Sequence, residues 1–281
     1  VLDRILEARR AEVQHRKMVL PETALKYGAK AALPLRDFSA ALSRNGASDG
    51  VRDTFNIIAE LKPASPSRGV LREPFAPVEL ATELCGAGAA ALSVLTEGEF
   101  FGGSLKNMRD ARKAVNVPVL RKDFIFDTWQ VWETRANDAD SFLLIVAALS
   151  DGLLRELLAM GRELKMEAIV EVHTVAELDR ALAADARIVG VNNRDLHTLK
   201  VSVATSFELI ERIPESCIAV SESGLRTHED LVKLRAAGFD AFLVGEQLML
   251  APEPGAALSA LLGTRLNTQP GTQPDAGPRA K

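Results

Sequence analysis

A chain of 281 residues that is 47% hydrophobic and 26% charged, with a formal net charge of -4, fits one large globular domain or two small ones around a sizeable core. Basic residues are dispersed among acids, which argues against a nucleic-acid partner, and no apolar run is long enough to span a membrane. The first ten residues are too charged for a secretory signal, so a cytoplasmic protein is expected, with Cys85 and Cys217 as unpaired thiols and with His15, His173, His197 and His228 too scattered to ligate a metal.

Taken in order, the chain opens with Leu2, Ile5, Leu6 and Val13 at helical spacing among Arg, Glu and Lys, which predicts an amphipathic helix from Leu2 to about Lys17. A short second helix is expected over Leu35 to Ser43, and Arg44-Asn45-Gly46-Ala47-Ser48-Asp49-Gly50 reads as a loop. Residues 1–50 are therefore expected to form a helical extension, with its first helix lying over the mouth of the domain that follows.

From Asn56 a unit repeats: a short β-branched or Leu-rich run, a polar loop, then an amphipathic helical pattern. The strand-like runs fall near Ile57 to Leu61, Ala91 to Leu95, Val117 to Arg121, Phe142 to Val146, Ala168 to Val172, Ile188 to Val191, Ile218 to Val220 and Ala241 to Val244, and the last helical pattern covers Pro254 to Leu262. About eight strand and helix pairs in a little over ~200 residues is the arithmetic of a (β/α)8 TIM barrel, here over residues 51–263. An open doubly wound sheet alternates too, but with fewer units and a Gly-rich first turn, which Pro63-Ala64-Ser65-Pro66 is not. Residues 264–281 are rich in Pro, Gly, Thr and Gln and are expected to be a disordered tail.

A TIM barrel does its chemistry where its strands finish. The first strand-like run ends in Glu60 and Lys62, which alternation puts on one side with Leu61 on the other. The third ends in Arg121-Lys122-Asp123-Phe124, with Lys122 and Phe124 on the side of Leu120 and Arg121 turned away. Glu171 ends the fifth, Asn192 and Arg194 share a side at the sixth, Ser221-Glu222-Ser223-Gly224 ends the seventh and Gly245-Glu246 the eighth. Lys62, Lys122 and Arg194 against Glu60 and Glu171 give a surplus of positive charge, so an anionic ligand is expected. Small residues at Ser223-Gly224 and Gly245-Glu246, before a short helix over Glu246 to Leu250, would suit a phosphate. A lysine among cations and apolar walls is expected to hold its proton less tightly and to serve as a general acid. Each feature alone has a plain alternative: Glu60 with Lys62 as a rim ion pair, Glu171 as the partner of His173, Ser223-Gly224 as a turn.

The ordered set Ala59-Glu60-Leu61-Lys62-Pro63-Ala64-Ser65-Pro66-Ser67-Arg68-Gly69, Leu92-Ser93-Val94-Leu95-Thr96, Leu120-Arg121-Lys122-Asp123-Phe124, Val170-Glu171-Val172-His173, Asn192-Asn193-Arg194-Asp195-Leu196 and Ser221-Glu222-Ser223-Gly224 resembles the indole-3-glycerol phosphate synthase family. The resemblance implies ring closure, decarboxylation and dehydration of 1-(2-carboxyphenylamino)-1-deoxyribulose 5-phosphate, in tryptophan biosynthesis, with no metal or organic cofactor. It implies Lys122 as the general acid of ring closure, Glu171 alone or together with Lys62 for the proton transfer of dehydration, Lys62 also at the substrate carboxylate, Glu60 orienting Lys62 and the sugar hydroxyls or amine, and Asn192 and Arg194 holding the network and the anionic intermediates. It further implies a phosphate cradle of Ser65, Ser223, Gly224, Gly245 and Glu246, the last through its backbone, and an anthranilate slot of Pro66, Phe101, Phe124, Leu143 and Leu196. The expected partner is a small phosphorylated molecule bound by a monomer, with loose association with other enzymes of the pathway, and neither nucleic acid nor membrane. The alternatives are another phosphate-binding barrel of the same pathway, one of which carries a cysteine where this chain has Glu60 and Lys62, and a barrel that binds without catalysing.

Overall fold

The computed structural model describes residues 1–44, 55–196 and 198–264, so the expected loop beyond Arg44, His197 and the expected tail beyond Thr264 lie outside the described residues. Eight strands form a closed parallel barrel: β1 (Asn56–Leu61), β2 (Ala91–Leu95), β3 (Val119–Lys122), β4 (Ser141–Ile145), β5 (Ala168–Val172), β6 (Ile188–Asn192), β7 (Ile218–Glu222) and β8 (Ala241–Val244). Each pairs with its neighbours in the chain, and β8 closes the ring on β1.

Strand alternation splits the apolar side chains into two cores. Ile57, Ala59 and Leu61 point outward, into a layer shared with the surrounding helices, while Ile58 points into the barrel with Leu120, Ile169, Ile188 and Val220. Both faces are covered, which is why these strands read as continuous apolar runs. The helices are α4 (Pro77–Gly86), α5 (Leu105–Ala114), α6 (Thr128–Ala136), α7 (Asp151–Glu163), α8 (Val175–Ala183), α9 (Ala204–Ile210), α10 (His228–Ala237), α11 (Glu246–Leu250) and α12 (Pro254–Leu262). Their starts are fixed locally: the side chains of Ser104, Asp127, Ser150, Thr174 and Thr227 each accept an amide of the first helical turn.

Three helices precede the barrel, labelled with the same series: α1 (Leu2–Val19), α2 (Glu22–Ala31) and α3 (Phe38–Leu42). Leu2, Ile5 and Leu6 of α1 pack with Phe124 above the inner core. At the opposite end Phe38 and Leu42 of α3 reach the same core, and Asn56 Nδ2 donates to the Leu42 carbonyl at 2.9 Å. One end of the barrel is thereby plugged and the other is roofed on one side only.

Several expectations need correction. The helix expected over Leu35 to Ser43 begins only at Phe38, because Asp37 is extended and caps it, while the Arg36 backbone N–H donates to Asp140 Oδ1 at 2.8 Å. α2 was not expected at all. β3 starts at Val119 rather than Val117, and β4 ends at Ile145, where Val146–Ala148 turn into a 3-10 helix. β7 runs on to Glu222, which makes that carboxylate a strand residue facing inward. Among the described residues no helix is long and apolar enough to cross a membrane.

Candidate active site

A cavity of about 1090 Å³ opens at the C-terminal ends of the strands. It is lined by all the residues singled out from sequence: Glu60, Lys62, Ser65, Pro66, Phe101, Lys122, Phe124, Leu143, Glu171, Asn192, Arg194, Leu196, Ser223, Gly224, Gly245 and Glu246. The ammonium groups of Lys62 and Lys122 therefore share one rim.

At the centre Lys122 Nζ donates to Glu171 Oε2 at 3.0 Å and to Glu222 Oε2 at 2.7 Å, while Lys62 Nζ lies 2.6 Å from Glu60 Oε1. This overturns the expectation that Lys122 sits among cations. Burial works to loosen its proton, but Glu171, Glu222 and Glu60 outweigh burial and raise its proton affinity. The expected surplus of positive charge is narrower in proportion than the sequence count: Arg68 and Arg226 join the basic side, Glu222 and Glu246 join the acidic side, and Asp123 is taken up by Arg9 and Arg121.

The two carboxylates beside Lys122 differ. Burial pushes both up; for Glu171, Lys122 and His173 together reverse the shift and hold it below the usual range. Glu222 has Lys122 alone against burial and the nearby Glu171 and Glu60, and it is pushed up to about 7. Its Oε1 is buried and has no hydrogen-bond partner among the described residues, while its Oε2 accepts from Lys122. Sequence reasoning placed Glu222 at a strand end but gave it no role; alternation from Val220 already carried it inward.

β3 is braced from behind. Asp123 accepts from Arg9 Nε at 2.9 Å, from Arg121 at 2.8 Å, from Thr96 Oγ1 at 2.6 Å and from the Phe124 amide at 2.8 Å. Arg121 thus faces away from the cavity, and a residue of α1 fixes the strand end that carries Lys122. Phe101 and Phe124 form an aromatic wall with ring centroids 6.0 Å apart, beside Pro66, Leu143 and Leu196. Glu97 shapes that wall by accepting the amides of Glu99, Phe100 and Phe101. Phe100 packs against the inner core beneath the Arg4 guanidinium and does not line the cavity.

On the other side of the cavity, Ser223 and Gly224 have φ of 67° and 79°, a left-handed pair that turns the chain sharply after β7. Gly245 allows a close approach, since a Cβ there would lie 2.4 Å from Glu60 Oε1. Asn192 Oδ1 accepts the Arg194 amide at 3.0 Å. Glu246, expected to serve through its backbone, also uses its side chain, which bridges Arg194 at 3.0 Å and Arg68 at 2.8 Å. Among the described residues no cluster of His, Cys, Asp and Glu is arranged to hold a metal.

A family model described as "Indole-3-glycerol phosphate synthase" matches residues 2–261. The chain is 45% identical over 265 residues to the indole-3-glycerol phosphate synthase of Variovorax paradoxus (strain S110), covering 93% of this chain and 98% of that one. It is 48% identical over 248 residues to that of Chloroherpeton thalassium (strain ATCC 35110 / GB-78), covering 88% and 94%. In fold it is similar to the crystal structure of 3-hexulose-6-phosphate synthase, at a TM-score of 0.59 and 14% identity over 74% of this chain and 98% of that one.

Proposed function

The chain belongs to the indole-3-glycerol phosphate synthase family, carboxy-lyases of tryptophan biosynthesis, and from that premise we propose which groups of its cavity perform each step. The observation that carries the assignment is the Lys122 ammonium held between Glu171 and Glu222. A lysine whose proton affinity is raised arrives charged, and a ketone oxygen that displaces a carboxylate from it receives a short, strong donor.

Atoms and charge then balance as follows. The aromatic carbon bearing the carboxylate attacks the ketone carbon, and Lys122 delivers its proton to the carbonyl oxygen. The carboxylate leaves as neutral carbon dioxide, returning its electron pair to the ring. Glu171 removes a proton from the methylene next to nitrogen, and the new hydroxyl departs as water after receiving a second proton. Glu222, poised near neutrality, is the nearby group able to supply or recycle that proton. Lys62, steered by Glu60, pairs with the substrate carboxylate. Asn192 and Arg194 hold the network, the amides around Ser65, Ser223, Gly224, Gly245 and Glu246 receive the phosphate, and Phe101 with Phe124, Pro66, Leu143 and Leu196 clasps the aromatic ring. The same reading has a cytoplasmic monomer, testable by gel filtration.

The deciding experiment follows indole fluorescence when purified protein meets the carboxyphenylamino substrate. Lys122→Ala is expected to lower turnover by orders of magnitude while leaving affinity for a phosphorylated ligand within about threefold. Equal, modest losses in both would remove Lys122 from the chemistry.

A further inference from the structure

His173 lies just past the end of β5, is only 11% exposed at its side chain and does not line the cavity. Both of its ring nitrogens face carboxylates. Nδ1 is 3.1 Å from Glu177 Oε2, an oxygen that also accepts the His173 backbone N–H at 2.7 Å. Nε2 is 3.4 Å from Glu171 Oε1 and has no hydrogen-bond partner among the described residues. A neutral imidazole must turn one bare nitrogen lone pair on an anionic oxygen, whereas an imidazolium presents N–H to both.

We infer that His173 is a positioning residue for the reaction, a buried imidazolium fixed by Glu177 that holds the Oε1 edge of Glu171 and keeps it a carboxylate. Its use comes at one moment. To protonate the ketone, Lys122 must let go of Glu171 Oε2; the cation still held against Glu171 is then His173. The base is thus ionised and oriented when the methylene proton has to be removed. The pairing of Glu171 with His173, a plain alternative to function when met in sequence, becomes part of the function.

Other charges bear on the pair. Lys122 from β3 faces Glu171, and Glu222 from β7 with Glu60 from β1 closes the cluster around that lysine. From α8, Glu177 faces His173. The strand neighbours level with Glu171 are Ile145 on β4 and Gly190 on β6, which bring no charge. In this setting burial works against the imidazolium, and the two carboxylates reverse it, so that His173 is pushed up to about 10.

The inference rests on the assignment of Glu171 to proton transfer, and three variants of the full chain separate the two: His173→Gln, Glu177→Gln and Glu171→Gln. Indole formation is followed from about pH 3.5 to pH 9, a window that reaches the carboxylate range in which Glu171 would titrate once a cation is taken from it. With one cation removed from Glu171, His173→Gln should lower kcat roughly tenfold, leave KM within about twofold and move the acid limb of the kcat profile to higher pH. Glu177→Gln should move the limb the same way and decides the matter if His173→Gln does not fold. An unmoved limb, or a loss confined to KM, with Glu171→Gln inactive overturns the inference alone. Full activity in Glu171→Gln overturns the assignment of the base, and the inference with it.

Discussion

One ammonium between two carboxylates does not make them alike, and the difference has a consequence for stability. Glu222 keeps its proton in the folded protein up to about 7, while in the unfolded chain it ionises near its ordinary value of 4.5. Between those values the folded state binds more protons than the unfolded one, so this residue makes the fold less stable as pH rises from 4.5 to about 7. Glu222→Gln removes the titration and keeps the shape, so its urea midpoint should fall less over that window than that of the wild type; parallel curves would show that Glu222 is not the group responsible. The His173 sign is opposite in origin and the same in slope: its raised value contributes stability that is complete below 6.5 and is lost as pH rises through about 10. At this scale the residues that pair along one strand, Glu60 with Lys62, were legible in sequence. The environment of Lys122 was not, because its two carboxylates come from β5 and β7, and nothing local to Arg121-Lys122-Asp123 announces them.

Elements were more readable than their contacts. Five of the barrel helices begin at a Ser, Thr or Asp cap, and strand runs alternate as two covered faces require, so most boundaries follow from short-range chemistry. α2 was invisible for the opposite reason. It buries only Leu25 and Ala29, and its Gly28 breaks the helical pattern; that glycine lets it lie against α6, where a Cβ would come within 3.2 Å of Ala136 Cβ. The helix exists because of its neighbour. α1 shows what such an element can do for the site. Its Arg9 is 1% exposed and grips Asp123 with two hydrogen bonds, so the helix braces the residue next to Lys122 as well as roofing the cavity with Leu2 and Ile5. Removing Leu2 to Lys17 is therefore expected to raise KM for the carboxyphenylamino substrate, and an unchanged value would make the roof irrelevant to binding. Arg9→Met leaves the roof and takes only the brace. Breaking one side of a buried ion pair costs about 3–5 kcal/mol, to be read from chemical denaturation; a loss well below about 1 kcal/mol would mean that Arg121 and Thr96 suffice for Asp123.

For the whole molecule, the sequence leaves one question that only three dimensions answer, namely whether the alternating units close. The seam between β1 and β8 joins strands nearly the full domain apart, and it brings Gly245 against Glu60; a side chain at that glycine would press on the carboxylate that steers Lys62. Closure divides the labour between the two cores. The layer between strands and helices reaches the cavity only through Val244 and Leu225 and otherwise serves to hold the barrel together, whereas the inner layer ends as the floor and wall of the cavity. Leu157 of α7 and Leu143 of β4 are matched probes, 0% and 2% exposed, one in each layer. Truncating either to alanine removes the same atoms and leaves a void, which costs about 2–5 kcal/mol of stability depending on how far the surroundings relax. Leu157→Ala should spend that loss on melting temperature alone, with kcat/KM unchanged when assayed well below the transition. Leu143→Ala should lose comparable stability and also lower kcat/KM, because the missing side chain is part of the wall against which the aromatic ring is held. If Leu157→Ala lowers kcat/KM as much as Leu143→Ala does, the outer layer is transmitting strain to the strand ends, and the two cores are one.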